Sequence, residues 1–228
     1  MSELKDSTVE KTIREAVEAA RRFDWADLND REVGALAELV QSLLKWNRTF
    51  NLTSITEPSK VAELHILDSL AVAPHLPERA RVLDVGAGAG FPGLVVAIAR
   101  PDTEWTLVDR TEKKVAFMRT VIARQPLTNA TAAHIRLEGA PEKEGLELYD
   151  VVVSRAFAAP ERWLPFAAPY TRPGGFVIAM LGGQPVDEKS LAAELQLDPD
   201  SISQISYRLP SGAQRGLLFW RKPAREEG

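Results

Sequence analysis

The sequence predicts an open α/β domain, a mostly parallel sheet with an antiparallel edge, preceded by a helical N-terminal extension. Three observations carry this expectation. From Pro77 onward, short β-rich runs alternate with helical ones, the pattern of a parallel sheet covered on both faces. The last two β-rich runs, SQISYRLP and GLLFWRK, are joined by a Pro-Ser-Gly turn, which suits a hairpin at the sheet edge. Before Pro77, apolar residues recur at helical rather than alternating spacing.

In chain order, the stretch from Val9 to Trp46 reads as two or three helices, with Val33, Leu36, Ala37, Val40, Leu43 and Leu44 on one face. The polar segment WNRTFNLTSITEP follows, rich in the Asn, Thr and Ser that favour turns and caps. VAELHILDSLAVAPHLP then reads as a helix stopped by Pro74 and Pro77. Beyond it the expected strands are RVLDVGA, EWTLVD, TAAHIRLE, DVVVSRA and GGFVIAML, ahead of the closing pair. Helices are expected over PGLVVAIAR, over KKVAFMRTVIAR and before Pro169. No repeat or linker divides the chain, so residues 1–77 are expected to extend a sheet domain spanning 78–228, together forming one domain.

Composition narrows the function. The 228 residues can bury a proper core. There is no cysteine, which excludes disulfides, thiolate zinc sites and a cysteine nucleophile. His65, His75 and His134 are scattered without metal-ligand spacing, so no metal is expected. The acidic, helical start is unlike a signal peptide, and no apolar run has membrane-spanning length; a cytoplasmic protein is expected. The net charge of -4 argues mildly against a generic nucleic-acid binder. Cations are nonetheless clustered: Lys45, Arg48 and Lys60 flank the polar segment, and Arg208, Arg215, Arg221 and Lys222 gather near the end. A local basic face and plain solvated surface both fit that clustering.

The most informative segment is Arg81-Val-Leu-Asp-Val-Gly-Ala-Gly-Ala-Gly-Phe-Pro-Gly93. An apolar strand runs into Gly86, Gly88 and Gly90, and Pro92 opens a helix. Glycines let a ligand approach the backbone, and the helix N-terminus offers free N–H donors. In a dinucleotide-binding fold the third glycine would stand at position 91, but Phe91 stands there. A G-x-G-x-G loop preceded by Asp84 suits an adenosine carrying an amino-acid tail, not a pyrophosphate. Asp109, nineteen residues after Gly90 at the end of the next strand, can accept both ribose hydroxyls. The expected ligand is S-adenosylmethionine, and the expected fold the Rossmann-like class I methyltransferase.

The nucleophile must be read from the fourth strand end, Val153-Ser154-Arg155-Ala156-Phe157. It lacks the Asn or Asp followed by prolines used on exocyclic amines, and a pyrimidine carbon would need a cysteine. A ring nitrogen such as guanine N-7 carries a free lone pair and needs no general base. Arg155 can hold a phosphate, a guanine oxygen or the cofactor carboxylate, or simply close a strand-end salt bridge. Phe157 suits base stacking, with core packing the commoner role for such a ring.

Four segments, WNRTFNLTSI (46–55), HILDSL (65–70), VLDVGAGAGFPG (82–93) and SRAFA (154–158), together resemble the bacterial small-subunit rRNA guanine-N-7 methyltransferases, also called glucose-inhibited division protein B. The resemblance runs from about Leu43 to Ala158. It implies methylation of one 16S rRNA guanine near the decoding centre, on 16S rRNA or the small subunit; a monomer is expected. It also implies cofactor contacts at Gly86, Phe91, Ala140, Pro141 and Arg155, beside Gly88, Gly90 and Asp109. RNA contacts are expected at Lys45, Asn47, Arg48, Asn51, His65 and Arg215. The chain departs from the pattern where the family commonly has cations: Leu64 and Gly139 replace arginines, Gly182 a lysine and Gly216 a histidine. Those losses favour a second reading, a diverged methyltransferase acting on another RNA or a small molecule. A non-catalytic S-adenosylmethionine-binding protein is a third.

Overall fold

The computed structural model describes residues 2–183 and 185–224, with side chains from Ser7 onward. Two long helices, α1 (Ser2–Arg22) and α2 (Asp30–Phe50), build the N-terminal extension. Asn29 caps α2 by accepting the N–H groups of Arg31 and Glu32, while Glu32 accepts that of Asn29. At the far end Asn51 adopts a left-handed φ of 49° and donates its N–H to the Asn47 carbonyl. The single helix expected over VAELHILDSLAVAPHLP starts earlier and is broken into α3 (Pro58–Val61), a π-helical stretch (Ala62–Leu67), α4 (Asp68–Leu70) and a 3-10 turn (Ala73–His75). Wide π-helical turns recur at functional sites, and this one carries His65.

The sheet has seven strands: β1 (Arg81–Val85), β2 (Glu104–Asp109), β3 (Ala130–His134), β4 (Tyr149–Arg155), β5 (Thr171–Gly182), β6 (Ile202–Arg208) and β7 (Gln214–Arg221). Their order is β3-β2-β1-β4-β5-β7-β6. β1 to β5 are parallel, and β7 runs antiparallel to both β5 and β6. The carboxyl ends of β1 to β4 therefore lie along one edge. The order reverses between β1 and β4, which opens the crevice where ligands bind in such sheets.

Alternation along the strands divides the core in two. Val151 and Val153 of β4 join a cluster with α1, α2, the π-helical stretch, α5 (Gly93–Ala99) and α6 (Glu112–Arg124). Val152, between them, faces α7 (Pro160–Ala167) and α8 (Glu188–Leu195). The extension thus shares one apolar core with the sheet. Helix α8 was not expected from the sequence; Asp187 caps it, accepting from Lys189 and Ser190 N–H. β3 is shorter than TAAHIRLE suggests, because an edge strand paired only with β2 leaves the ladder after His134. No helix among the described residues is long and apolar enough to cross a membrane. These residues also hold no group of three His, Asp or Glu side chains able to bind a metal.

Candidate active site

Gly86, Gly88 and Gly90 turn the chain at the end of β1 with φ of 67°, 62° and 88°, a region L side chains rarely enter. The loop is held from two sides. Gly88 N–H donates to Asp109 Oδ2 at 3.0 Å, and Thr111 N–H donates to Oδ1 at 2.8 Å. Each Asp109 oxygen keeps a lone pair, so the carboxylate can also accept ribose hydroxyls. On the other side Gly93 N–H donates to Asp84 Oδ2 at 2.8 Å, tying the start of α5 to β1. A Cβ at Gly93 would lie 2.6 Å from Leu107 Cδ2. Gly93 therefore does the close helix–strand packing that the dinucleotide pattern assigns to position 91. Sequence reasoning gave it no role, although the Phe-Pro-Gly ending of the motif was the signal. Asp84 is fully buried and its Oδ1 has no hydrogen-bond partner, an acceptor that suits a cationic amino-acid tail.

Phe91 presents its ring away from solvent, stacked on His65 at 4.7 Å and beneath the Arg155 guanidinium at 5.4 Å. Ala140 and Pro141 lie on the loop between β3 and β4. Tyr170 braces that loop: its hydroxyl accepts from Gly139 N–H at 2.7 Å and donates to Glu144 Oε2 at 2.8 Å. A glycine cradle, a carboxylate at the end of the next strand and an orphan buried acceptor suit an adenosine with an amino-acid tail.

The segments with the family resemblance converge behind this cradle. Arg155 donates to the Leu64 carbonyl at 2.9 Å and to His65 Nδ1 at 3.1 Å. A guanidinium only donates, so Nδ1 accepts in the contact with Arg155; Nδ1 also lies 3.2 Å from the Leu64 carbonyl, and Nε2 faces Thr53 Oγ1 at 3.0 Å. Asn47 uses both ends of its amide on the Thr53 backbone, at 2.8 and 2.9 Å. Asp68 gathers three partners: Tyr207 donates to Oδ1 at 2.9 Å, Arg215 lies 3.7 Å away and Arg155 3.8 Å away. Asn47 and His65, expected at an RNA surface, are buried in this network, while Lys45, Arg48 and Asn51 are exposed. Arg215 is half-buried beside Asp68. Asp68, Thr53 and Tyr207 went unassigned in the sequence; Asp68 stood in HILDSL, but nothing local identifies its partners.

Burial sets the titration of this network. His65 is pushed down to about 4, by desolvation and then by Arg155. Asp84 is pushed up to about 7 by desolvation, against the Gly93 N–H. Burial likewise raises Asp68, against Arg155, Tyr207 and Arg215.

Residues 32–212 match the family described as rRNA small subunit methyltransferase G. The chain belongs to this family. Ribosomal RNA small subunit methyltransferase G of Myxococcus xanthus is 44% identical, over 86% of this chain and 89% of that one. The protein of the same name from Burkholderia multivorans is also 44% identical, over 77% and 78%. Among solved structures the likeness is of fold. A SAM-dependent methyltransferase from Aquifex aeolicus superposes with a TM-score of 0.54 at 18% identity, covering 74% of this chain and 96% of that one. The O-methyltransferase from Bacillus cereus in complex with SAH gives 0.53 at 17%, covering 81% and 91%. The fold is that of the class I S-adenosylmethionine-dependent methyltransferases.

Three of the four positions expected to depart from the family pattern are explained locally; at the fourth, Gly182, an added Cβ would meet nothing within 4 Å. Leu64 contributes its carbonyl to Arg155, a bond independent of its side chain. Gly139 has a φ of 85°, which an arginine would adopt only with strain. A Cβ at Gly216 would lie 2.9 Å from the Ile205 carbonyl, so β6 and β7 approach too closely there for a histidine.

Two predictions arise from this geometry. Asp109→Ala should weaken S-adenosylmethionine binding by roughly 1.5–3 kcal/mol, through lost ribose bonds and a freed Gly88 N–H. Calorimetry showing an effect below error would mean the carboxylate serves only the loop. The second concerns pH. His65, lowered when folded, contributes stability that is present above its unfolded pKa and lost as pH falls from about 6.5 through about 4. Asp84, raised when folded, contributes stability that is present below its unfolded pKa and lost as pH rises from 3.8 through about 7. Between pH 4 and 6.5 the two slopes oppose each other. His65→Gln should therefore become less stable, and Asp84→Asn more stable, as pH rises across that window, by up to about 1.4 kcal/mol per unit. Urea unfolding at several pH values measures both slopes; slopes like the wild type's would remove the assignment.

Proposed function

We propose that this enzyme methylates N-7 of a guanine in 16S rRNA, acting in the cytoplasm as a single-domain monomer on the rRNA or the small subunit. Membership of the methyltransferase G family supports the rRNA substrate. The observation that carries the atom is the end of β4. Ser154 donates its hydroxyl to the Val85 carbonyl at 2.9 Å, and Arg155 is a cation bonded to Leu64 and His65. Neither is placed to take a proton, and a guanine N-7 lone pair needs none taken. N-7 lies in the deep groove of A-form RNA, so the target must be a loop base that splays out.

Bound in the crevice, S-adenosylmethionine supplies a methyl group on a sulfonium, open to in-line displacement. Gly86, Gly88 and Gly90 cradle its tail, Asp109 holds its ribose, and Ala140 and Pro141 flank its adenine. Phe91 joins this loop to Arg155, which keeps the β4 end in place. Lys45, Arg48, Asn51 and Arg215 meet RNA phosphate and sugar, so binding weakens as salt rises. Lys45 and Arg48 have no ion-pair partner among the described residues, whereas Lys60 pairs with Glu57 at 3.1 Å. Asn47 and His65 support that surface from beneath.

Mass mapping of methylated guanines in rRNA from cells with and without the protein tests this directly. Loss of one 7-methylguanine is expected, and an unchanged map would overturn the reading. With cofactor and RNA saturating, the single-turnover rate should be nearly flat from mildly acidic to mildly alkaline pH. A clear rise through one ionisation would point to a proton-bearing nucleophile instead.

A further inference from the structure

Phe157 follows the β4 end, and its exposure departs from the core role that the sequence favours for it. Ala156, at a left-handed φ of 54°, turns the chain after Arg155 and leaves the Phe157 side chain on the surface, 45% exposed. The ring is braced: Trp163 meets it edge-on at 5.5 Å and Phe166 lies at 5.1 Å, both from α7. It also borders the glycine loop, since a Cβ at Gly86 would lie 3.0 Å from Phe157 Cδ2. The other large apolar side chains exposed among the described residues are Phe23, Phe50, Leu148 and Ile205. The first two follow or end helices of the extension, Leu148 precedes β4 at the opposite edge, and Ile205 sits on edge strand β6.

We infer that Phe157 is the platform on which the target guanine stacks, and that its π face favours methyl transfer by attracting the charge that moves onto the base. This rests on the guanine N-7 reading. In the transfer the N-7 lone pair forms the new N–C bond, the C–S bond breaks, and its electron pair stays on sulfur. No proton moves, and the positive charge passes from the sulfonium to the purine. An aromatic face attracts a cation more than a neutral base. Stacking on Phe157 is therefore stronger in the transition state than in the bound substrate, the kind of contact that raises the rate and not only the affinity. A splayed base also loses its neighbours in the strand, and a fixed ring replaces that stacking.

The test uses the full chain with Phe157→Leu and Phe157→Tyr. With S-adenosylhomocysteine bound, the wild type should bind 7-methylguanosine monophosphate about two- to fivefold more tightly than guanosine monophosphate. Phe157→Tyr should keep that preference, and Phe157→Leu should lose it. Single-turnover transfer to 16S rRNA should fall about tenfold or more in Phe157→Leu, recover in Phe157→Tyr, and leave S-adenosylmethionine affinity unchanged. Equal binding of the two nucleotides by the wild type, or a preference that survives in Phe157→Leu, would overturn the inference. So would a parallel loss of S-adenosylmethionine affinity, which would mean that the ring only packs on Gly86. A wild type that makes no 7-methylguanine would overturn the N-7 reading and this inference with it, whereas one that makes it with the variants indifferent overturns the inference alone.

Discussion

Arg155→Ala is expected to cost roughly 3–5 kcal/mol of folding stability and to slow methyl transfer strongly at every pH. The stability loss follows from what the guanidinium leaves behind. The Leu64 carbonyl and His65 Nδ1 lose their donor, and buried Asp68 loses one of two cations. Removing one partner of a buried pair is expensive because the other charge stays desolvated. The lower figure is expected, since Arg215 and Tyr207 still face Asp68. Asp68→Asn placed in the Arg155→Ala background should recover part of the loss, a coupling that a double-mutant cycle measures directly. Arg155→Lys should recover activity only in part, because an ammonium cannot bond Leu64 and His65 through one planar fork while covering the Phe91 ring. Additive losses in the cycle would remove the charge-balance argument, and normal turnover in a folded Arg155→Ala would remove the arginine from the reaction.

Gly86→Val should abolish S-adenosylmethionine binding in a protein that still folds. The substitution forces a branched side chain to a φ of 67° and drives its Cβ against Phe157. Gly88 and Gly93 sharpen the test because their surroundings differ. A Cβ at Gly88 meets nothing closer than the Gly86 carbonyl at 3.8 Å. Gly88→Ala should therefore cost the free protein only about 1–2 kcal/mol of backbone strain. If a ligand fills that open space, the same variant should lose affinity out of proportion to its stability. Gly93→Ala should do the reverse, overpacking Leu107 and Asp84 at a cost of roughly 1–3 kcal/mol. Calorimetry and thermal unfolding on the three variants separate the cases. Unchanged affinity in a folded Gly86→Val would remove the glycine-loop assignment.

Much of the fold was legible because its signals are local. Alternating apolar runs, the caps and the Pro-Ser-Gly turn depend on residues a few positions apart, so the order of strands and helices could be read directly. Helix α8 escaped because it is short and only two of its residues, Leu191 and Ala192, are buried, which leaves little periodicity to read. The glycine loop was legible for a similar reason: glycines that must take positive φ follow an apolar strand, and the aspartate stands at the end of the next one.

The amino-acid sequence by itself determined the sheet class, the glycine cradle and the carboxylate beside it, since backbone conformation and strand order require those residue types in place. Only the tertiary structure decided which polar side chains face inward. His65 meets Arg155 across 90 residues of chain, and Tyr207 meets Asp68 across 139. In the sequence, asparagine and histidine look alike whether they reach for phosphate or for a neighbouring group of the chain. The choice depends on what stands opposite, and for Asn47 and His65 that is Thr53 and Arg155. Phe157 shows the converse: an aromatic side chain was expected in the core, but the left-handed turn at Ala156 and the filled space around Trp163 leave its ring in solvent beside Gly86.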